Sequence, residues 1–309
     1  MDETKKQELK EKLDEFKKRN KCINTDWFER FFNMLEAVGV DEELILRAAD
    51  FAFNEKNFSE YAVEGHKHVL ANNRYATIVR DEFFKYMSDM VKKLGKDGFR
   101  EFLESSIFEM EKDYNQYKQE QHSKKTTFIN LFMRRLIIKN PQDVKLELSG
   151  TKVEDIAHNS GYGSIDAVIG GVSIGHLHYE REETSSPIIA FTEFRTLPGL
   201  ERLSLGTYIF TEFCKQVSEN KPEYAVIATN VAKGKDGSKA YSAWGGYPVN
   251  VSYTAEKGAE VATEPMTDEE YQQHNGSLVY YFSPKTVKNC SQKVVKRYSV
   301  KDNEDIEQP

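Results

Sequence analysis

The stretch Ile188–Val217, IIAFTEFRTLPGLERLSLGTYIFTEFCKQV, decides how the rest of the chain is read. Its first part, IIAFTEFRTL, is apolar and β-branched or aromatic at short intervals, which predicts a strand. Pro198 and Gly199 interrupt it. Leu205, Ile209, Phe210, Phe213 and Val217 then recur at helical spacing. A strand, a tight loop and a helix aim unsatisfied backbone N–H groups at one point, which suits an anion such as a phosphate.

The flanking sequence has the same texture. DVKLELSG (143–150) alternates Val144, Leu146 and Leu148, as a half-buried strand does. SIDAVIGGVSIGHLHYERE (164–182) predicts two strands joined by a two-residue turn at Gly170-Gly171. Beyond the opening stretch, YAVIATNV (224–231) has the compact apolar run of a buried strand. A short helix is expected around Ser238–Trp244, stopped by Gly245-Gly246, and GSLVYYFSP (276–284) is a further strand. A hairpin followed by a strand–helix–strand unit gives a mixed sheet with helices packed on it.

Residues 1–140 differ: they predict helix after helix. Leu9, Leu13 and Phe16 make a thin apolar stripe on a charged first helix, read as a solvated face, with a coiled-coil contact as the other reading. Trp27, Phe28, Phe31, Phe32 and Leu35 form a denser stripe, with Thr25 or Asp26 as cap and Gly39 as stop. Asp41 opens a helix carrying Leu44, Ile45, Ala48, Phe51 and Ala52. Tyr75–Leu94 presents Ile78, Val79, Phe83, Met87, Met90, Val91 and Leu94, and Gly95 ends it. Asp97 begins another, with Phe99, Phe102, Leu103, Ile107, Phe108 and Met110, and a last helix covers Thr127–Lys139. Arg134, Arg135, Lys124 and Lys125 form a basic cluster, read as surface charge or as a site for a nucleotide cofactor's 3′-phosphate. The fold class is therefore α+β: an all-α domain over 1–140, a mixed-sheet domain over 141–300 and a flexible polar tail over 301–309.

Composition narrows the class further. Of 309 residues, 30% are charged and 39% hydrophobic, which is globular rather than disordered. No apolar run is long enough to cross a membrane, and MDETKKQELKEKLDEF has no apolar core for export. Cys22, Cys214 and Cys290 are few and far apart, so a reducing, cytoplasmic setting is expected rather than a disulfide scaffold. Cys214, mid-helix among aromatics, reads as packing. His66 with His68 and His176 with His178 are the only close pairs, and no Cys/His spacing resembles a zinc site, so no metal is expected. The net charge of −7 falls in residues 141–309, residues 1–140 being balanced. Neither half is a basic nucleic-acid surface. The acidic half, including the segment 250–275, reads as solubilising surface or as attraction for a cationic substrate.

In this order the elements resemble the GNAT superfamily of N-acetyltransferases over residues 143–284. IGGVSIGHLHY is similar to the family's antiparallel hairpin with a glycine, here Gly175, on the second strand. FRTLP (194–198) resembles the strand end with a V-x-P signature, Thr196 taking the Val place and Pro198 matching. ERLSLGT (201–207) resembles the acyl-CoA loop [RQ]-x-x-G-x-[GA]. Gly206 matches, while Glu201 and Ser204 replace the usual Arg or Gln and Gly. AYSAWGGY resembles the A-x-x-L-Y-x-x-x-G-[FY] ending. Gly246 and Tyr247 match, Tyr241 is one residue early, and Ser242 holds the strict Tyr place.

The resemblance implies an enzyme, an acyl-CoA-dependent N-acyltransferase using acetyl-CoA as donor. It implies a pyrophosphate held by Arg202, Leu203, Ser204, Leu205, Gly206 and Thr207. Phe194, Arg195 and Thr196, with Asn230 on the neighbouring strand, would meet the pantetheine arm. Asn230 has a second reading as a cap for the turn that follows. Candidate bases are Glu193, His178 and Glu180, with His176 beside them, and Tyr241 is the candidate acid. Simple alternation places Glu193 on the strand face opposite Thr192 and Phe194. The acceptor would be an amine, on a small molecule or on a protein lysine or N-terminus. No nucleic acid or membrane partner is expected, and the N-terminal helices would serve substrate selection, assembly or docking to a protein partner. The competing reading is a GNAT-like module without catalysis, an interaction or acyl-CoA-sensing domain, favoured by Glu201, Ser204 and the offset Tyr241.

Overall fold

The computed structural model describes residues 1–19, 26–53, 73–119, 128–156, 161–181, 187–197, 199–200, 202–254 and 258–299. Thr25, Cys22, His66, His68, Lys124, Lys125, Thr127, Pro198, Glu201 and the tail after Lys301 lie outside the described residues, as do the side chains of Trp27, Phe28, Phe51, Ile78 and Val79. The chain separates into two compact units. One is Met1–Asp143 with Ile169–Val172 and Leu197–Leu203; the other is Val144–Val168, Ser173–Thr196 and Ser204 onward.

The first unit is helical. It contains α1 (Glu3–Arg19), α2 (Asp26–Val38), α3 (Glu42–Phe53), α4 (Asn73–Gln119) and α5 (Phe128–Lys139). Asp41 starts α3 by accepting the backbone N–H groups of Glu43 and Leu44 at 3.0 and 3.1 Å. Gly95, at φ 72 and ψ 165, breaks α4 into two helical runs, as its sequence position predicts. Phe31, Phe83, Phe99 and Phe132 are fully buried, with Phe31 and Phe132 edge to face at 5.1 Å. Leu94 and Phe108, expected on apolar faces, are exposed. Leu94 directly precedes the Gly95 break, and Phe108 follows buried Ile107 by one residue, about 100° around the helix. Arg134 and Arg135 are neither surface charges nor free for a phosphate. Both pair with Asp113, Arg134 at 3.5 Å, with little of either side chain exposed.

A seven-stranded sheet is built from β1 (Lys145–Gly150), β2 (Tyr162–Ile169), β3 (Val172–Arg181), β4 (Ile188–Thr196), β5 (Ala225–Ala232), β6 (Tyr247–Val249) and β9 (Ser277–Phe282). Its order is β1-β2-β3-β4-β5-β9-β6, while β7 (Val251–Thr254) and β8 (Gly258–Val261) form a separate ribbon. The β4–β5 pair is parallel; β1–β2, β3–β4, β5–β9 and β6–β9 are antiparallel. Gly170 and Gly171 turn the β2–β3 hairpin at φ 56 and 75, the positive values such a turn requires. The helices are α6 (Leu205–Asn220), α7 (Asp236–Ala243), α8 (Asp268–Gln273) and α9 (Pro284–Ser291). The fold is thus α+β, with N-terminal helices before a mixed sheet. β1 is an edge strand, so its expected half-burial is not realised and Leu148 is exposed.

One sheet face packs Ile188, Ala190, Ala225, Ile227, Val249 and Tyr281 together. The other carries α6: Phe191 meets Phe210 at 5.8 Å and Phe213 at 6.1 Å, and Tyr179 meets Phe213 at 5.3 Å. Gly175 sits under this helix. A methyl group there would meet Ile209 Cδ1 at 3.0 Å, the Arg195 carbonyl at 3.1 Å and Thr196 Cγ2 at 3.2 Å. Gly175→Ala is expected to lower the unfolding free energy by about 1–3 kcal/mol, read from a urea titration.

Candidate active site

The site forms where two neighbouring strands part. β4 and β5 pair in parallel from Ile188 with Ala225 to Phe191 with Ala228. Immediately beyond, each strand carries one extra residue. On β4, Phe191 and Glu193 oppose the adjacent residues Tyr179 and His178 of β3, so Thr192 is inserted. On β5, the register against β9 shifts between Ala228 and Val231, and Asn230 turns left-handed at φ 58. From there β4 stays paired to β3 as far as Thr196, and β5 to β9 as far as Ala232. Phe194, Arg195 and Thr196 therefore line an opening in which backbone groups on the β5 side have no ladder partner. Exposed Asn230 stands on the opposite lip, within β5.

The insertion also changes faces. Phe194 lies on the α6 side with Phe191, their rings 6.3 Å apart, and its ring is 5.7 Å from that of Trp244. A Cβ on Gly206, in the first turn of α6, would meet Phe194 Cζ at 3.3 Å. Glu193 is on the opposite face, as expected. Thr192 is not opposite it: Thr192 neighbours Tyr162, on the same side as His178. In a bulge of this kind the inserted residue and its successor point the same way.

The α6 N-terminus is open. Its first backbone bond is Tyr208 N–H to the Ser204 carbonyl, at 3.0 Å. Helix geometry leaves the N–H groups of Leu205, Gly206 and Thr207 with no intrahelical acceptor, and Ser204 supplies no side-chain cap. Ser204 has φ 59 and Arg202 φ 63, both left-handed. That is the physical reason a glycine suits the Ser204 place. Arg202 and Leu203 group with the first unit and Ser204 onward with the second, which divides the predicted loop between them.

Across the sheet, His176, His178 and Glu193 converge. The imidazoles stack at 4.5 Å and 19°. His176 Nε2 is 3.6 Å from Glu193 Oε1, and His178 Nδ1 is 3.4 Å from Oε2. Arg195 Nε pairs with Oε1 at 2.8 Å. Tyr162 lies 2.8 Å from His178 Nδ1 through its hydroxyl. Burial, then the neighbouring His178, lowers the His176 pKa and keeps that ring neutral. Glu180 is outside this group, facing Ala190 in the β3–β4 register. Tyr162 and the Arg195 side chain are absent from the sequence reading of this cluster. Both reach it by strand pairing, which no local motif records.

Tyr241 projects into the core. It is buried against Phe191 at 5.4 Å, Trp244 at 5.7 Å and Tyr280 at 5.7 Å. Burial pushes its pKa up to about 12, so the phenol keeps its proton. Ser242 is exposed, and its hydroxyl donates to Tyr280 Oη at 3.4 Å. Tyr280, on β9, is thus a second phenol at this place that the sequence reading passes over. Cys214 is buried, as expected, and lies beside Cys290 of α9.

No family model matches the chain, and no curated protein matches it by sequence. Among solved structures it is similar to a Desulfovibrio desulfuricans protein assigned to the GNAT family of acetyltransferases. The identity is 12%, over 42% of this chain and 75% of that one, at a TM-score of 0.29. It is also similar to Arabidopsis thaliana Naa50 in complex with the bisubstrate analogue CoA-Ac-MVNAL. There the identity is 11%, over 38% and 95%, at 0.28. A third is a GNAT-family acetyltransferase from Staphylococcus aureus, at 12% identity over 56% and 89%, and 0.29.

The left-handed Ser204 gives a test of the α6 entry. Ser204→Gly removes a strained side chain, so the unfolding free energy is expected to rise by about 1 kcal/mol in a denaturant titration.

Proposed function

We propose that this chain is an acyl-CoA-dependent N-acyltransferase that moves acetyl from acetyl-CoA to an amine by direct attack. The observation that carries the reading is the opening between β4 and β5 beyond Phe191 and Ala228. The pantetheine arm of coenzyme A is an extended chain with two amides, so it can pair with strand backbone as a missing strand would. Phe194, Arg195 and Thr196 supply that backbone on one lip and Asn230 a side-chain amide on the other. The pyrophosphate meets the first turn of α6, where the free N–H groups and the helix dipole favour negative charge. Ser204 and Thr207 add hydroxyl donors there, and Arg202 and Leu203 belong to the same loop by sequence.

The two faces of β4 divide the remaining work. The cofactor lies on the α6 side and the amine approaches from the Glu193 side. The amine lone pair attacks the thioester carbonyl carbon, and the carbon–sulfur bond breaks. Glu193 takes the proton lost by the amine, with His178 and His176 against its carboxylate. The leaving thiolate takes a proton from Tyr241, or from Tyr280 beside it. The acceptor is a small-molecule amine or a protein lysine or N-terminus, and the helices of residues 1–140 serve as an appended domain for selection, assembly or docking.

The second reading, an acyl-CoA-binding module without turnover, is favoured by Ser242 in the place of the family's tyrosine. Two measurements separate the readings. Acetyl-CoA at about 100 times its Kd should stabilise the chain by about 2.7 kcal/mol, seen as a raised melting temperature. Thr207→Glu puts a carboxylate at the phosphates while suiting the helix N-terminus, so it should remove that shift without lowering the ligand-free melting temperature. No shift in the parent chain overturns both readings. Thiol release with a panel of amines then identifies turnover; a shift without release selects the sensing module. If turnover is found, Glu193→Gln should lower kcat by about 10²–10⁴ with the acetyl-CoA shift unchanged. Tyr241→Phe and Tyr280→Phe, assayed singly, show which phenol is the acid.

A further inference from the structure

We propose that His176, His178 and Glu193 form a binding site for a divalent transition-metal cation of the zinc type, with the imidazole nitrogens and one carboxylate oxygen as ligands. Among the described residues they are the three metal-ligating side chains brought together in this way. The arrangement follows from strand geometry. A His-x-His pair in a strand presents both rings on one face. The β3–β4 register sets Glu193 opposite His178, which brings the third ligand from a strand fifteen residues further along the chain. Sequence spacing alone hides it.

The candidate ligand atoms lie within 4.8 Å of one another, and the imidazoles, stacked at 19°, must turn for both lone pairs to meet one ion. His176 Nε2 and His178 Nδ1 stand 3.6 and 3.4 Å from the Glu193 oxygens. Ligands at about 2.0–2.1 Å from a tetrahedral zinc are separated by about 3.3 Å. Two imidazoles and one carboxylate suit zinc, cobalt or nickel, and not the all-oxygen shells of calcium or magnesium. A second observation points the same way. His176 Nε2 is buried and makes no hydrogen bond, its neighbouring carboxylate oxygen lying 3.6 Å away. A metal would satisfy that atom. The pairing of Arg195 Nε with Glu193 Oε1 acts as an outer-shell contact that orients the carboxylate. Its side chain is 65% exposed, so its charge is largely solvated. Three protein ligands leave a fourth position for water. Tyr162 is the competitor, since its hydroxyl occupies His178 Nδ1 at 2.8 Å and must give way when the metal enters.

The inference goes beyond the acyl-transfer reading and does not depend on it, because ligation is measured without turnover; a bound ion takes one Glu193 oxygen and leaves the other for the amine proton. Cobalt(II) titrated into untagged, metal-free protein should give the visible bands of four-coordinate cobalt at one equivalent, and zinc should displace them. His176→Asn and His178→Asn should each weaken binding by about 100-fold or more, beyond what loss of an outer-shell contact does. Tyr162→Phe should tighten it by about fivefold, the worth of one hydrogen bond. Tyr162 is 49% exposed, so this variant folds even where a histidine variant does not. Absence of the cobalt bands overturns the proposal. So do bands that persist unchanged in both histidine variants, and so does an affinity unmoved by Tyr162→Phe.

Discussion

The parting of β4 from β5 is the constraint on which the site depends. Adjacent strands separate only where the ladder between them is broken, and here it is broken on both sides at once. An inserted residue follows the last parallel pair in each strand, at Thr192 and in the Thr229–Asn230 segment. Below that point the fork is held closed by aromatic packing: Phe191 touches rings from α6, α7 and β9. Above it, unpaired backbone groups face each other across a gap and need water or a ligand. The closed part carries the stability, and the open part is where a ligand has unpaired backbone to meet.

The Thr192 insertion also decides where charge can go. In a regular strand Phe191 and Glu193 would share a face. That would drive a carboxylate into the ring cluster of Phe210, Phe213 and Trp244, at the high cost of burying an unpaired charge. One inserted residue moves Glu193 to the other face, where two histidines and Arg195 surround it. It moves Phe194 the other way, onto Gly206 and Trp244. The same bulge opens the gap, places Glu193 on one side of it and leaves the α6 entrance on the other.

The longer elements were legible in the sequence because each had room for a period to show. β2 to β5, β9, α6 and α7 follow the alternation, the helical spacing and the glycine stops. β6, with three residues, and α8, with six, are too short to show one. β7 and β8 lie in a segment that reads as an acidic insertion. The site was legible in part. Glu193 and His178 are visible as residues, but the bulge that turns them to one face leaves no period in the sequence. A signal existed: Phe191 and Phe194 are three apart and cannot share a face in a regular strand. Tyr162 and Tyr280 left no such trace, because they enter from strands whose register the sequence does not state.

The positions of Tyr241 and Ser242 show how one step along a helix redirects a side chain. Neighbouring residues on α7 differ by about 100° in direction. The phenol therefore sits at the place that turns into the core, and the serine at the place that turns outward. Tyr241 gains burial and a pKa of about 12 from this, and it loses the outward direction that the strict place would have given its hydroxyl. Tyr280, on β9, accepts a hydrogen bond from the Ser242 hydroxyl. A core that already packs Tyr241, Tyr280, Trp244 and Phe282 against one another leaves no room to turn Tyr241 outward without emptying the volume it fills.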